Sequence, residues 1–209
     1  MTRRTLVIET ATDACSVALI EGERVVASRH EVVQRGHAER LLPMIAELPD
    51  GGRADVILVD VGPGSFTGVR VGVAAARALA LGWGVSARGF SSLALVAAAA
   101  LTRNPRPRLA AVLDAGHGEV FMQLFDGSSA PLGAPVSLPP AAAAEAIGDA
   151  PAVGGGVRRL AGLTADLEEA LPDAADLPLL PSALADLDPR PLYGRAPDAK
   201  LPAASFSGR

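Results

Sequence analysis

Three acidic residues, Glu9, Asp60 and Asp114, each end an apolar run that is short enough to be a buried strand. The carboxyl ends of parallel strands meet at one edge of a sheet, where carboxylates can hold a hydrated Mg²⁺ ion and a nucleotide. The three residues therefore allow a Mg-ATP site, and an ATPase or phosphotransferase would follow from it. The alternative is structural, because acidic residues often follow strands where turns begin.

A glycine-rich segment, residues 60–77 (DVGPGSFTGVRVGVAAAR), leads from the second carboxylate into a predicted helix. Backbone N–H groups at a helix start can bind an anion. The segment does not fit a P-loop, because Gly68 and Val69 fill the Lys and Ser/Thr places, and Thr67 interrupts the dinucleotide pattern. We therefore interpret it chiefly as a structural turn, with Ser65 or Thr67 capping the helix.

Other catalytic patterns are missing from the sequence. Its three histidines are not spaced as a zinc motif, and the single cysteine, Cys15, lies in a predicted strand. Ser65 does not stand in a nucleophile elbow, because Pro63 takes the place of the first glycine. We therefore expect no metal site built from local motifs, no serine hydrolase and no metallopeptidase.

The composition narrows the class of protein. The 209 residues are 49% hydrophobic and 20% charged, which is ordinary for a globular chain. A net charge of -4 argues against a free-standing nucleic-acid binder, although Arg103, Arg106 and Arg108 form a local basic patch. A single cysteine suits a reducing compartment, and no uncharged apolar stretch is long enough to span a membrane. We therefore expect a cytoplasmic protein that does not enter a membrane.

The elements that would position these residues follow an α/β order. Short β-branched runs predict strands at 5–9, 14–20, 23–30, 55–60, 85–88, 109–114, 119–126 and 152–156. Helical periodicity and capping residues predict helices at 37–48, 68–82, 91–101 and 139–147. The opening hairpin followed by helix–strand–helix order predicts mixed sheets with helices around them. The Pro- and Arg-rich tract 102–108 predicts a boundary between two lobes.

Small residues run along one face of the predicted helix 68–82. They recur four residues apart, at Gly68, Gly72, Ala76 and Ala80. Such a stripe lets a second helix approach closely, so this helix is suited to docking. Arg70 and Arg77 share another face, where they are either solvated or paired with a partner at the rim of an interface.

Several segments together resemble the TsaB family. They are ETATDACSVALIEG, HAERLLPMI, VGPGSFTGVRVGVAAARALA, LDAGHGEVFMQLF and the tail YGRAPDAK. The resemblance implies an α/β, two-lobed fold like that of actin, Hsp70 and sugar kinases (ribonuclease-H-like), with mixed sheets and a reduced second lobe. It implies an N-terminal lobe over 1–102, a smaller lobe over 103–190 and a tail over 191–209.

The resemblance also implies a function. TsaB proteins are non-catalytic partners of TsaD, which with the ATPase TsaE transfers threonylcarbamoyl to the anticodon-adjacent adenosine of tRNAs reading codons that begin with A. ATP and metal are then expected on the partner subunits, with no cofactor bound by this chain alone. Homodimers are expected when the partner is absent, and tRNA is expected to meet the chain only through the complex.

The resemblance assigns two sets of residues. The partner interface would use the first two long helices, through Leu41, Leu42, Ile45, Gly68, Val69, Arg70, Gly72, Val73, Ala76, Arg77 and Ala80. A vestigial nucleotide site would comprise Glu9, Asp60 and Asp114. Nucleotide-binding relatives open with Asp and a glycine-containing turn, whereas this chain has Glu9 followed by Thr-Ala-Thr, so we expect a pseudoenzyme.

Overall fold

The computed structural model describes residues 2–192, whose strands form two five-stranded mixed sheets. The first sheet contains β1 (Arg4–Glu9), β2 (Ala14–Glu21), β3 (Arg24–Val32), β4 (Val56–Asp60) and β5 (Ser86–Phe90), in the order β3-β2-β1-β4-β5. The second contains β6 (Arg108–Gly116), β7 (Glu119–Asp126), β8 (Val136–Leu138), β9 (Ala152–Val153) and β10 (Leu167–Glu168), in the order β10-β9-β6-β7-β8. The predicted mixed α/β fold is confirmed.

Helices cover both sheets. They are α1 (His37–Ala46), α2 (Phe66–Trp83), α3 (Ser92–Arg103) and α4 (Pro140–Ile147), with 3-10 turns at Pro49–Gly52, Val157–Leu160, Ala174–Leu179 and Ser182–Leu184. Helix α2 begins two residues before the predicted start, because the Ser65 hydroxyl accepts from the Gly68 N–H at 3.3 Å and caps it there. Within residues 2–192, no helix combines the length and apolar character needed to cross a membrane.

The two faces of the first sheet carry different helices. Helices α1 and α2 pack on the face that includes Leu6 and Ile8, whereas α3 packs on the face that includes Val7 and Ala18. Helix α3 also packs against the second sheet, and its residues 92–101 are all buried. A helix that is apolar on every side is expected in such a position between two sheets. Helix α4 covers the far face of the second sheet.

The segment after β10 returns to the first sheet. Its turn Ala174–Leu179 packs on β1, β2, β3 and α3. Further along, Leu187 and Gly89 exchange backbone hydrogen bonds, and the Leu192 N–H donates to the Val61 carbonyl at 2.7 Å. We call residues 173–192 the return segment. One hydrophobic core therefore crosses the predicted lobe boundary, and the predicted tail lies outside the described residues from position 193 onward.

Candidate functional site

Glu9 and Asp60 lie side by side at the ends of neighbouring strands. Strands β1 and β4 run parallel with Ile8 opposite Val59, so the next residue of each strand is one of these acids. Both side chains are completely buried. Glu9 Oε1 accepts from the Ala11 N–H at 2.8 Å, and Asp60 Oδ1 accepts from the Gly62 N–H at 2.6 Å. The other oxygens, Glu9 Oε2 and Asp60 Oδ2, have no donor.

Burial controls the charge of this pair. It raises the pKa of Glu9 well above the usual range, and the neighbouring charge of Asp60 raises it further. Burial also raises the pKa of Asp60, although the hydrogen bond from the Gly62 N–H opposes this in part. Asp173 adds a further negative charge near Glu9. The carboxyl pair is therefore set in a buried, acidic part of the fold.

Asp114 does not join the pair. Its side chain is half exposed at the end of β6, where it accepts from the Gly116 N–H and forms an ion pair with Arg159 at 2.7 Å. Over the described part of the chain, no three His, Cys, Asp or Glu residues lie together in a way that could hold a metal ion. The structure therefore brings Glu9 and Asp60 together but not Asp114, which lies on the second sheet and pairs with Arg159.

The return segment covers the sheet beside Glu9. Ser16 lies opposite Glu9 in the β1–β2 ladder, and its hydroxyl donates to Asp173 Oδ1 at 2.9 Å. The Ala174 N–H in turn donates to the Ser16 hydroxyl at 2.9 Å. His30 Nδ1 lies 3.5 Å from Asp173 Oδ2. This region thus receives a carboxylate from the return segment, which disfavours a phosphate group there.

The small-residue stripe of α2 faces its own sheet. A Cβ on Gly68 would lie 2.0 Å from the Thr10 carbonyl oxygen, and one on Gly72 would lie 2.4 Å from Thr10 Oγ1. The rest of the stripe and its neighbours are buried against the same sheet, namely Val69, Val73, Ala76 and Ala80. The stripe therefore permits close packing of α2 on β1, and its residues are buried within the chain.

The loop that follows Glu9 positions the starts of both helices. Thr10 Oγ1 donates to the Gly68 carbonyl at 2.8 Å, and the Ser65 N–H donates to the Ala11 carbonyl at 2.6 Å. His37, the first residue of α1, places its Nε2 2.9 Å from the Thr12 carbonyl oxygen. No local sequence pattern pointed to this contact, because it joins residues that are 25 positions apart.

The outer sides of α1 and α2 remain accessible. Leu42 is 53% exposed and Leu81 is 87% exposed. Phe66 is 56% exposed, and the Arg70 guanidinium lies 3.6 Å from the centre of its ring. Arg77 is exposed as well. We call these five residues the outer helix surface.

The predicted interface therefore divides between this surface and the core. Leu42, Arg70 and Arg77 belong to the outer helix surface. Leu41 and Ile45 are buried in the core between α1 and the sheet. The prediction omitted Phe66 and Leu81, which are exposed on the same face of α2 as Arg70 and Arg77.

The predicted basic patch is engaged within the chain. Arg103 pairs with Asp176 at 2.6 Å, and Arg106 pairs with Asp166 at 3.0 Å. Arg108 donates to the Ile147 carbonyl at 3.1 Å. Beside these arginines lies an open groove of about 810 Å³, which is also lined by Asp149 and Asp166. Acidic neighbours thus offset much of the positive charge.

Comparison with known proteins points to one family. The family model described as "TsaD: tRNA N6-adenosine threonylcarbamoyltransferase" matches residues 23–133, more than half of the chain. The tRNA threonylcarbamoyladenosine biosynthesis protein TsaB of Escherichia coli is 39% identical over 123 residues, which are 56% of this chain and 53% of that protein. Its counterpart in Haemophilus influenzae is 40% identical over 122 residues, 56% of this chain and 51% of that protein. The match thus spans about half the length of these curated relatives.

Solved structures match over almost the whole chain. YeaZ from Pseudomonas aeruginosa superposes with a TM-score of 0.78 and 31% identity, covering 91% of this chain and 99% of that chain. A second Pseudomonas aeruginosa structure, described as an uncharacterized protein with similarity to peptidase YeaZ, gives a TM-score of 0.76 and 30% identity. It covers 92% of this chain and 100% of that chain. The resemblance to the TsaB family predicted from the sequence segments is confirmed.

Proposed function

This chain belongs to the TsaB (YeaZ) branch of the TsaD family, and from that premise we propose that it is a non-catalytic subunit acting in tRNA threonylcarbamoyladenosine biosynthesis. It binds a TsaD catalytic subunit and thereby activates the transfer of threonylcarbamoyl to tRNA. The proposal is carried by the contrast between two parts of the chain. The outer helix surface is apolar and accessible, whereas the Glu9–Asp60 pair is fully buried.

The sealed carboxylates support the non-catalytic part of the proposal. Mg²⁺ in phosphoryl transfer is held through carboxylates that reach the substrate phosphates and water. Glu9 and Asp60 are both 0% exposed, and Asp114 is engaged with Arg159 elsewhere. The return segment adds Asp173 rather than a basic side chain beside Glu9. We propose that ATP and metal bind the partner subunits. Among residues 2–192, Glu9, Asp60 and Asp114 do not come together as a set that would support the ATPase or phosphotransferase alternative.

The outer helix surface supports the binding part of the proposal. Leu81 is almost fully exposed, and Leu42 and Phe66 are each more than half exposed. Apolar side chains surrounded by arginine are typical of protein interfaces, where aromatic and Arg residues are enriched. A TsaD subunit would occupy this surface, and a second copy of the chain would occupy it when TsaD is absent. The ATPase TsaE and tRNA would then join the assembled complex.

A reconstituted modification assay tests the proposal. The reaction contains cognate TsaD, TsaE, a supply of threonylcarbamoyl-adenylate and tRNA, with or without this chain, and modified adenosine is measured by mass spectrometry of digested tRNA. We expect modification only when the chain is present. Equal modification without it would refute the activating role.

A matched pair of variants tests the surface. Leu42→Glu places a charge on the outer helix surface, whereas Leu132→Glu places the same charge at an equally exposed site, since both leucines are 53% exposed. We expect Leu42→Glu to weaken TsaD binding at least tenfold by calorimetry and Leu132→Glu to leave it unchanged. Unfolding midpoints of both variants should match wild type. Equal binding by the two variants would show that α1 does not contribute to the interface.

A further inference from the structure

The Glu9–Asp60 pair has an unmet electrostatic requirement. Both carboxyl groups are fully buried, and each keeps one oxygen without a donor. The two strands that carry them are adjacent and parallel, with Ile8 opposite Val59, and the two carboxyl groups interact with each other. Among the described residues, the charged groups acting on Glu9 are Asp60 and Asp173, and both are negative.

Two buried negative charges side by side are not tolerated without a positive partner. Arg or Lys could supply that charge, but among residues 2–192 no Arg or Lys is a cause of either pKa shift. A bound divalent cation would need about six oxygen ligands, and the described residues offer no third carboxylate here. A proton satisfies the requirement with the atoms present, because a protonated carboxyl group is a donor.

We propose that the Glu9–Asp60 pair is a proton-binding site, in which Glu9 keeps its proton and its Oε2–H donates to Asp60 Oδ2. The single proton lowers the charge of the pair from two to one and gives both orphaned oxygens a partner. The folded chain then holds one proton at neutral pH that the unfolded chain releases. This property is independent of the function proposed above.

The surroundings of the pair support this assignment. Burial and the Asp60 charge both raise the pKa of Glu9, and the Glu9 hydrogen bond lowers the pKa of Asp60, which makes Glu9 the proton carrier. Asp173 also favours the protonated form of Glu9. Burial raises the pKa of the Cys15 thiol to about 11, so Cys15 brings no charge at neutral pH. The Gly62 N–H donates to Asp60 Oδ1 and lowers the pKa of Asp60.

The proton also acts at a structural junction. Glu9 accepts a hydrogen bond from the Ala11 N–H, and Asp60 accepts one from the Gly62 N–H. The shared proton therefore links the two turns that follow β1 and β4. These turns in turn contact the start of α2 through the Ser65 N–H and the Ala11 carbonyl. Loss of the proton would place two charges between the turns and weaken this junction.

Urea unfolding as a function of pH tests the proposal. The folded chain binds one more proton than the unfolded chain, so its stability declines as pH rises from the ordinary carboxyl range toward the folded pKa of the pair. We expect the unfolding equilibrium constant in water to rise about tenfold per pH unit across this window. Glu9→Gln replaces the O–H donor with a permanent N–H donor, so its slope should lose that tenfold component. Asp114→Asn, at the exposed carboxylate on the second sheet, should keep the wild-type slope.

Two further measurements keep the test decisive. If Glu9→Gln does not fold, Asp60→Asn is the alternative variant. It removes the same titration, because the Asn side chain then donates an N–H to Glu9. Infrared difference spectra of the wild type should show the carbonyl stretch of a protonated carboxylic acid at neutral pH, and this band should vanish in the variant. A wild-type slope equal to that of Glu9→Gln, with no acid band, would overturn the proposal. So would restoration of wild-type stability at high pH by Mg²⁺ or K⁺, since a cation would then be the ligand.

Discussion

Replacing Gly68 by alanine tests how α2 is packed. The new Cβ would lie 2.0 Å from the Thr10 carbonyl oxygen, so helix and loop must separate by more than about 1 Å to reach ordinary contact. The obstacle is backbone rather than a flexible side chain. The same movement would stretch the buried hydrogen bond in which Thr10 Oγ1 donates to the Gly68 carbonyl at 2.8 Å.

Three contributions set the size of the effect. Overpacking a rigid contact costs ~1–3 kcal/mol, and the upper half applies because backbone must move. Weakening a buried hydrogen bond costs ~1 kcal/mol. Alanine in a helix favours folding by ~1 kcal/mol relative to glycine. The free energy of unfolding should therefore fall by about 2–3 kcal/mol.

Urea unfolding followed by circular dichroism measures this loss against a control on the same helix. Gly82 is exposed, and a Cβ there would meet nothing within 4 Å. Gly82→Ala should therefore raise stability by up to ~1 kcal/mol through helix propensity alone. Should Gly68→Ala prove as stable as wild type yet fail to bind TsaD, the stripe would be a partner contact and our assignment to internal packing would be refuted.

Three smaller predictions follow from the same structure. Asp173→Ala should cost about 1–3 kcal/mol of unfolding free energy, because the buried Ser16 hydroxyl loses its acceptor, whereas Asp173→Asn, which keeps an acceptor oxygen, should cost less in the same urea assay. Ser65→Ala should cost ~0.5–2 kcal/mol by loss of the α2 cap, seen as a lower thermal midpoint. One proton held by the Glu9–Asp60 pair should lower the free energy of unfolding by ~1.4 kcal/mol per pH unit above the ordinary carboxyl range, measured from urea curves.

Much of the fold could be predicted because its signals are local. The hairpin of β2 and β3 follows from apolar runs around Glu21 and Gly22, and the buried strand β4 follows from a short β-branched run. The position of α3 between the sheets was not predicted. Its Ala-rich sequence is compatible with burial on one side or on all sides, and the second sheet that decides the matter comes later in the chain.

The candidate site divides in the same way. The strand-end position of Glu9 and Asp60 could be predicted, and their adjacency follows from the parallel pairing of β1 with β4. The separation of Asp114 could not be predicted, because it depends on the second sheet and on Arg159, which lies 45 residues further on. The orientation of the small-residue stripe could not be predicted either. A face of small residues allows close packing on a strand of the same chain, and it allows close packing on a helix of a partner protein equally well. The position of Thr10 decides between them, and no periodicity reveals it.

The carboxylates and the outer helix surface are connected by one loop. Residues 10–13 follow Glu9 directly. They contact α2 through Thr10 and Ala11, and the Thr12 carbonyl contacts His37 of α1. The buried carboxyl pair thus holds the turns that contact the starts of both helices. Disruption of the pair should therefore lower TsaD binding through the helices, while Leu42→Glu lowers binding without changing the pH slope of stability. These measurements separate a structural role of the carboxylates from a catalytic one. If the role were catalytic, Glu9→Gln would lower tRNA modification even where folding and TsaD binding are intact.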